Sequence, residues 1–134
     1  MPTSSRDFLQ AAAQRLTTAD FLLRNKYNLD AYYLAGYAIE CSLKALIIHL
    51  TPEPEKLGKL KEISSGSKMH NYEVLAEELW KCKMRLPIGL VRRLRRFPWS
   101  TALRYETGRK PTSETKGFLK TAMLAIAWVE RHLT

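Results

Sequence analysis

The chain has 134 residues, 46% hydrophobic and 26% charged, which suits one folded domain over residues 1–134 and excludes a disordered chain. The formal net charge of +9 favours phosphate, acidic proteins or anionic surfaces as partners without choosing among them. The apolar runs are shorter than the roughly 18 residues of a membrane span, and no basic segment leads into an apolar one at the start. We therefore expect a cytoplasmic protein without membrane association. Cys41 and Cys82 have no metal-ligand spacing, so we predict reduced thiols, no metal site and no cofactor.

Two helices are predicted at the start of the chain. Ser4 and Asp7 form a capping box, and the apolar stripe behind them predicts a helix that ends near Asn25. After a short connection, Asn28 can cap a second helix that extends to Leu50. Apolar residues recur through this second helix at helical spacing, so we predict that it is the core helix and packs antiparallel to the first.

A second stripe on the predicted core helix combines aromatic and ionisable side chains. Steps of four, three and four residues place them on one face of the helix, and they are Tyr33, Tyr37, Glu40 and Lys44. This face is either a ligand surface or simply an internal Glu40–Lys44 pair on an exposed helix. Gly36 beside it removes a side chain where a neighbouring backbone can approach.

The segment from Thr51 to His70 breaks the helical pattern. It contains two prolines, two glycines and a run of serines, which predict a flexible loop with one helical turn around residues 56–63. Because a long unstructured connection is uncommon in a compact domain, this segment is either a mobile surface loop or a lid over a functional face. His70 at its end is either an acid–base group or a helix-entry residue.

Two further helices are predicted between residues 71 and 97. Asn71 can cap the first of them, and a second helical pattern follows over residues 85–97. Arg85, Arg92 and Arg96 lie on one side of the second pattern, opposite its leucines, and are flanked by Arg93 and Arg95. We call these three residues the arginine ridge, which either contacts RNA phosphates or is a solvated face.

The remaining residues predict a loop and a last helix. Arg104 and Tyr105 lie in the loop, where they can clamp an anion or a base by charge and stacking, or where Arg104 can pair with Glu40. The helix begins at Thr112 and carries two apolar stripes, so we expect one stripe to pack within the bundle and the other against a second copy of the chain. No strand pattern is present. The predicted class is all-α, a bundle of about five helices in an antiparallel up-down arrangement.

The order AYYLAGYAIECSLKALI, followed by MHNYEVL and later by WSTALRY, resembles HEPN-domain proteins of prokaryotes. The resemblance covers nearly the whole chain, and AGYAIECSLKALI is its most specific part. It implies a small α-helical bundle, usually a homodimer, in a family that includes toxins, defence RNases and partners of a minimal nucleotidyltransferase. It also implies one polar cleft around Glu40, Lys44, His70, Arg104 and Tyr105.

The chain departs from the nuclease members of that family in one respect. Those members resemble one another in an Arg followed four to six residues later by a His, a pair that would position and protonate around a scissile phosphate. No arginine here has that spacing from His49, His70 or His132. Arg104 stands where such an arginine is expected, but residues 109–111 are Arg, Lys and Pro. RNase activity by the usual pair is therefore not predicted, and no phosphate-binding glycine loop or nucleophile motif indicates another enzyme class.

Three hypotheses remain open. The first is a HEPN-like protein that binds a nucleotide or RNA within a toxin–antitoxin, defence or nucleotidyltransferase-partner system, with a separately encoded nucleotidyltransferase or antitoxin as partner. Its predicted ligand-binding residues are Tyr37, Glu40, Lys44, His70, Arg104 and Tyr105. Arg104 and Lys44 would contact phosphate, a tyrosine would stack on a base, and Glu40 would orient the ligand.

The other two hypotheses belong to different classes. One is an RNase toxin in which His70 is the general acid–base group and Arg104 stabilises charge on the phosphate, which makes these two the catalytic candidates. The other is a non-enzymatic interaction module that binds a partner through the broad face of the last helix. Salt dependence of RNA retention distinguishes a cleft that contacts several phosphates from a module without one.

Overall fold

Six α-helices make up the part of the chain that the structure, a computed structural model, describes, namely residues 3–64 and 67–133. They are α1 (Ser5–Arg24), α2 (Asn28–Leu50), α3 (Lys56–Ile63), α4 (Tyr72–Lys81), α5 (Ile88–Arg96) and α6 (Thr112–His132). Short 3₁₀ segments lie at Glu53–Glu55, Ser67–His70 and Thr101–Tyr105. These residues contain no strand, so the predicted all-α antiparallel bundle is confirmed, with one helix more than expected.

Two of the predicted helix caps are present. The Ser4 hydroxyl accepts a hydrogen bond from the backbone N–H of Asp7 at 3.1 Å, and α1 begins there. The Asn71 side-chain oxygen accepts one from the backbone N–H of Glu73 at 2.8 Å, and α4 begins there. Each cap satisfies a donor that the first turn of a helix leaves without a backbone partner.

Asn28 does not cap α2 as predicted. It is the first residue of that helix, and its side-chain amide donates to the Lys110 carbonyl and the Thr112 hydroxyl, both at 3.0 Å. The amide therefore joins the start of α2 to the start of α6, more than eighty residues away in sequence. A local capping rule cannot identify such a long-range contact.

α2 is the core helix, as its apolar pattern predicts. α1, α4 and α6 pack against it, and α1 and α2 form the expected antiparallel pair. By length and composition α2 could cross a membrane, but 67% of its most apolar window is buried inside the protein. Its position at the centre of the bundle therefore accounts for its apolar character.

The two apolar stripes of α6 are used within one chain more fully than expected. Phe118, Ala122 and Val129 are completely buried, and Leu119 and Ile126 of the second stripe are buried as well. The second stripe consists of Leu119, Met123 and Ile126, and of these three only Met123 is exposed, with 52% of its surface accessible. α6 gains its second set of neighbours from α1 and α5. Packing against a second copy remains a prediction.

The described part of the segment 51–70 is more ordered than the predicted loop. α3 fills residues 56–63, and the buried side chain of Ile63 anchors its end. The Lys59 ammonium donates to the buried Glu78 carboxylate of α4 at 2.8 Å, and Lys81 binds its other oxygen at 2.8 Å. These tertiary contacts stabilise a helix that local propensity leaves marginal. Residues 65–66 of the predicted flexible serine–glycine run lie outside the described residues.

Candidate functional site

A buried carboxylate links three of the predicted site residues. Glu40 is only 3% exposed, and its Oε2 accepts a hydrogen bond from the Lys44 ammonium at 3.0 Å. Its Oε1 lies 2.8 Å from Nδ1 of His70, thirty residues further along the chain. Lys44 is also buried, at 5%, whereas 35% of the His70 side chain is exposed. The pair thus lies beneath the surface, and His70 connects it to solvent.

His70 is placed on Glu40 by the segment that precedes α4. The 3₁₀ segment Ser67–His70 ends at His70, and α4 begins two residues later at Tyr72. The Tyr72 hydroxyl donates to the Gly36 carbonyl of α2 at 2.9 Å, which holds the start of α4 against the middle of α2. Glu40 lies one helical turn beyond Gly36, so the imidazole meets its carboxylate.

The contact with Glu40 determines which ring nitrogen of His70 carries the hydrogen. A carboxylate in an ion pair accepts hydrogen bonds and does not donate them, and Glu40 accepts one from the Lys44 ammonium. Nδ1 of His70 is therefore the donor in the 2.8 Å contact. In the neutral imidazole this leaves a lone pair on Nε2, which can accept a hydrogen bond or a proton.

Trp99 forms the aromatic wall of the site. It is not among the site residues predicted from the sequence. Its indole N–H donates to the Tyr33 carbonyl at 3.0 Å, and its ring stacks on Tyr72 with centroids 5.6 Å apart. A Cβ on Gly36 would lie 2.0 Å from Nε1 of Trp99. Gly36 therefore makes room for an indole side chain, not for the backbone that was predicted. A helix glycine that costs about 1 kcal/mol in propensity was the available signal.

Tyr37 lies between Trp99 and His70. Its ring meets Trp99 edge-on at 5.2 Å and His70 edge-on at 6.3 Å, and its hydroxyl accepts a hydrogen bond from Tyr33 at 3.0 Å. Burial raises the pKa of the Tyr37 hydroxyl, and the neighbouring Tyr33 and Glu40 raise it further, while Arg104 opposes them. Tyr37 is therefore a neutral phenol at physiological pH, and it can form hydrogen bonds.

Arg104 and Tyr105 form the exposed rim of the site. They end the 3₁₀ segment Thr101–Tyr105, and the Arg104 guanidinium lies 5.1 Å from the centre of the Tyr105 ring. The charge interaction with Tyr105 contributes most to the raised pKa of Arg104, and the charge interactions with Tyr33 and Tyr37 raise it further. Arg104 is thus a permanent, exposed cation beside the Tyr33–Tyr37 pair.

The structure brings the predicted ligand-binding residues into one region but at two depths. Tyr37, His70, Arg104 and Tyr105 are accessible, whereas Glu40 and Lys44 are buried behind His70. The predicted phosphate contact of Lys44 does not fit this burial, because its ammonium already binds Glu40. The internal pair considered as the alternative is present but buried, not on an exposed helix. Among the described residues Glu40 pairs with Lys44 and His70, and the alternative Arg104–Glu40 pair is not present.

The arginine ridge lies on the surface. Arg85 stacks on the exposed Trp80 with its guanidinium 4.7 Å from the ring centre, Arg96 lies over Phe97, and Arg92 is exposed. Arg93, between the ridge residues, instead donates to the Thr121 hydroxyl of α6 at 3.2 Å. Contact of the ridge with RNA remains a prediction.

A larger cleft lies away from these residues. It is formed by the end of α1, the start of α2, residues 106–112 and the first half of α6, and has a volume of about 1710 Å³. None of the predicted ligand-binding residues lines it. Its walls carry charges of both signs, including the Asp20–Arg24 ion pair.

The described residues contain no group of three or more histidine, cysteine or acidic side chains that could hold a metal ion. Cys41 and Cys82 are both unpaired thiols. Burial raises the pKa of the Cys41 thiol to about 11, so it is protonated at neutral pH and chemically inert. The chemistry that this region can offer therefore comes from an oriented imidazole, a phenol and an exposed guanidinium.

Comparison with known proteins identifies the family. The HEPN domain matches residues 5–132, which is almost the whole chain. No curated protein and no solved structure gives a significant match. The match covers all six helices and every residue of the candidate site, and the family is associated with RNA-related, toxin and defence roles. The chain therefore belongs to the HEPN domain family.

Proposed function

We propose that this protein binds RNA or a nucleotide on the surface formed by Tyr37, His70, Arg104 and Tyr105. The observation that carries the proposal is the division of the buried Glu40 carboxylate between Lys44 and His70, which holds the imidazole in one orientation at the surface. A rigid polar group costs less entropy to engage than a mobile one.

The neighbouring groups suit the parts of a nucleotide. The Arg104 guanidinium can donate two parallel hydrogen bonds to a phosphate. The exposed Tyr105 ring offers a face on which a base can stack, as aromatic side chains do in proteins that bind single strands. The net charge of +9 adds a general attraction to RNA. Glu40 and Lys44 act as positioning residues behind His70.

Arg104→Ala is expected to weaken binding of a fluorescein-labelled, mixed-sequence single-stranded RNA at least tenfold, since the charge-assisted contact of the guanidinium with phosphate is lost. The slope of log K against log salt concentration should also fall by about 0.7 in magnitude, as expected for one lost phosphate contact on a single strand. Fluorescence polarisation at several salt concentrations measures both quantities.

Arg6→Ala is the matched control, because Arg6 is an exposed arginine on α1 and its removal changes the net charge equally. It should change the affinity by less than about twofold, since Arg6 is outside the proposed binding surface and an exposed charge without a direct phosphate contact is largely screened. Equal losses in the two variants, or no binding of RNA, AMP or UMP by the wild type, would contradict the proposed function.

A second candidate function, RNA cleavage, is favoured by the hydrogen bond from Nδ1 of His70 to Glu40. A carboxylate that holds an imidazole in this way leaves Nε2 ready to act as a general base and then as a general acid. Arg104 would stabilise charge on the phosphate. The chain lacks the usual Arg-to-His spacing, so this activity would depend on a pair of residues that are distant in sequence.

If the protein cleaves RNA, His70→Ala should reduce the rate by about 10²- to 10⁴-fold, which is the usual contribution of general acid–base catalysis. The assay follows a labelled RNA on a gel with EDTA present, and binding is measured in the same samples. His49→Ala is the control, because His49 is an exposed histidine at the end of α2. Cleavage that persists in His70→Ala, or its absence from the wild type, would exclude this candidate and leave binding alone.

We further propose that the protein is a cytoplasmic homodimer, and that it works with a separately encoded antitoxin or nucleotidyltransferase in a toxin–antitoxin or defence system. The HEPN family assignment supports this context.

A further inference from the structure

We propose that the binding surface continues into a groove between α4 and α5, and that this groove takes a neighbouring nucleotide of single-stranded RNA with Arg95 on its phosphate. The inference rests on the proposed function and deepens it. It assigns the ligand to the class of RNA strands longer than one nucleotide, and it adds a contact residue that is not part of the arginine ridge.

The groove begins at the candidate site. It has a volume of about 600 Å³, and both His70 and Trp99 line it. Trp99 contacts Tyr37 on the side of the candidate site, so the indole is a wall shared by the two regions. Ser100 and Thr101 also line the groove, and Thr101 is the first residue of the 3₁₀ segment that carries Arg104. His70 and Trp99 therefore belong to both regions, and a strand bound at His70 can extend into the groove.

The floor of the groove suits a nucleobase. Apolar side chains from α4, α5 and the connection before α5 line it, and they are Ala76, Leu86, Val91 and Leu94. Together with the Trp99 indole they offer an apolar, partly aromatic surface. Bases stack on such surfaces with little dependence on sequence, because every base has a π-face.

The rim of the groove suits one phosphate. Arg95 is exposed and lines the groove, whereas Arg85, Arg92 and Arg96 do not. Glu73 is exposed and also lines it, and its negative charge opposes a phosphate there. The two residues therefore make opposite contributions to binding of an anionic strand. Removing the charge of Arg95 should weaken RNA binding, and removing the charge of Glu73 should tighten it.

Arg95→Ala is expected to weaken binding of a labelled octanucleotide RNA by roughly fivefold to tenfold and to lower the salt slope by about 0.7, as for one phosphate contact. AMP and UMP should compete with the octanucleotide equally well in the variant and the wild type, since a mononucleotide does not reach the groove. Glu73→Gln should tighten octanucleotide binding. Far-ultraviolet circular dichroism verifies that both surface variants are folded.

Arg92→Ala distinguishes the groove from the arginine ridge, because it removes an exposed ridge arginine from the same helix outside the groove. If it weakens binding as much as Arg95→Ala, RNA follows the arginine ridge and the groove assignment is overturned. If the octanucleotide binds no more tightly than AMP or UMP, the assignment is likewise overturned. In both cases a selective loss in Arg104→Ala would leave the proposed function intact, whereas an unaffected Arg104→Ala would remove both.

Discussion

Glu40→Ala is expected to destabilise the protein by about 3–5 kcal/mol, the usual cost of removing one partner of a buried ion pair. Lys44 is 5% exposed and lies 3.0 Å from the carboxylate, so the substitution leaves an ammonium in the core without its counter-charge. His70 loses its orienting hydrogen bond at the same time but remains partly exposed to water. Urea unfolding followed by circular dichroism measures the loss.

The double substitution Glu40→Leu with Lys44→Met distinguishes loss of the partner from loss of the pair. Replacing both charges of a buried pair with apolar side chains of similar size is often neutral for stability, so the double variant should recover most of the loss. Glu77→Ala, at an exposed glutamate of α4, is the control and should change stability by no more than about 0.5 kcal/mol. A Glu40→Ala protein as stable as the Glu77→Ala protein would refute the buried pair.

Gly36→Ala is expected to destabilise the protein by about 2 kcal/mol, although alanine is the better helix former. The added methyl group would lie 2.0 Å from Nε1, 2.1 Å from Cε2 and 2.3 Å from Cδ1 of Trp99. The indole must move, which breaks its hydrogen bond to the Tyr33 carbonyl and its stacking on Tyr72. A shift of tryptophan fluorescence should accompany the lower urea midpoint.

Gly58→Ala is the matched control for the effect of Gly36→Ala. Gly58 lies inside α3 with no atom within 4 Å of an added Cβ, so alanine there should stabilise the helix by up to about 1 kcal/mol. In a Trp99→Ala background the methyl group at position 36 has room, and its cost should largely disappear. Equal gains from both glycine substitutions would show that Trp99 does not pack on Gly36.

The face of α2 that carries Tyr37, Glu40 and Lys44 shows what sequence periodicity can predict and what it cannot. Tyr37, Glu40 and Lys44 share a face of α2 because helix geometry alone aligns residues three and four apart. Whether that face is wet or buried depends on the elements that cover it. The exposed pair and the buried pair have the same sequence pattern, and only the position of His70 and α4 distinguishes them.

Local signals also explain which helices were predicted. α1 and α4 begin after Ser4 and Asn71. Each of these side chains accepts a hydrogen bond from a backbone N–H two or three residues further along the chain, and both helices begin where predicted. α3 has no side-chain cap, and its stability comes from Ile63 in the core and from Lys59 on Glu78. A short helix held by contacts to another helix has no strong signal in its own residues.

The sequence by itself determined the all-α class, the core position of α2 and the family. Each of these depends on spacing within a helix or on a contiguous motif. The tertiary structure alone decided that Glu40 and Lys44 lie behind His70, that Trp99 fills the space over Gly36, and that Arg95 lines the groove outside the arginine ridge. These facts join residues from thirty to sixty-six positions apart or depend on which neighbours exclude water, and no local pattern encodes either.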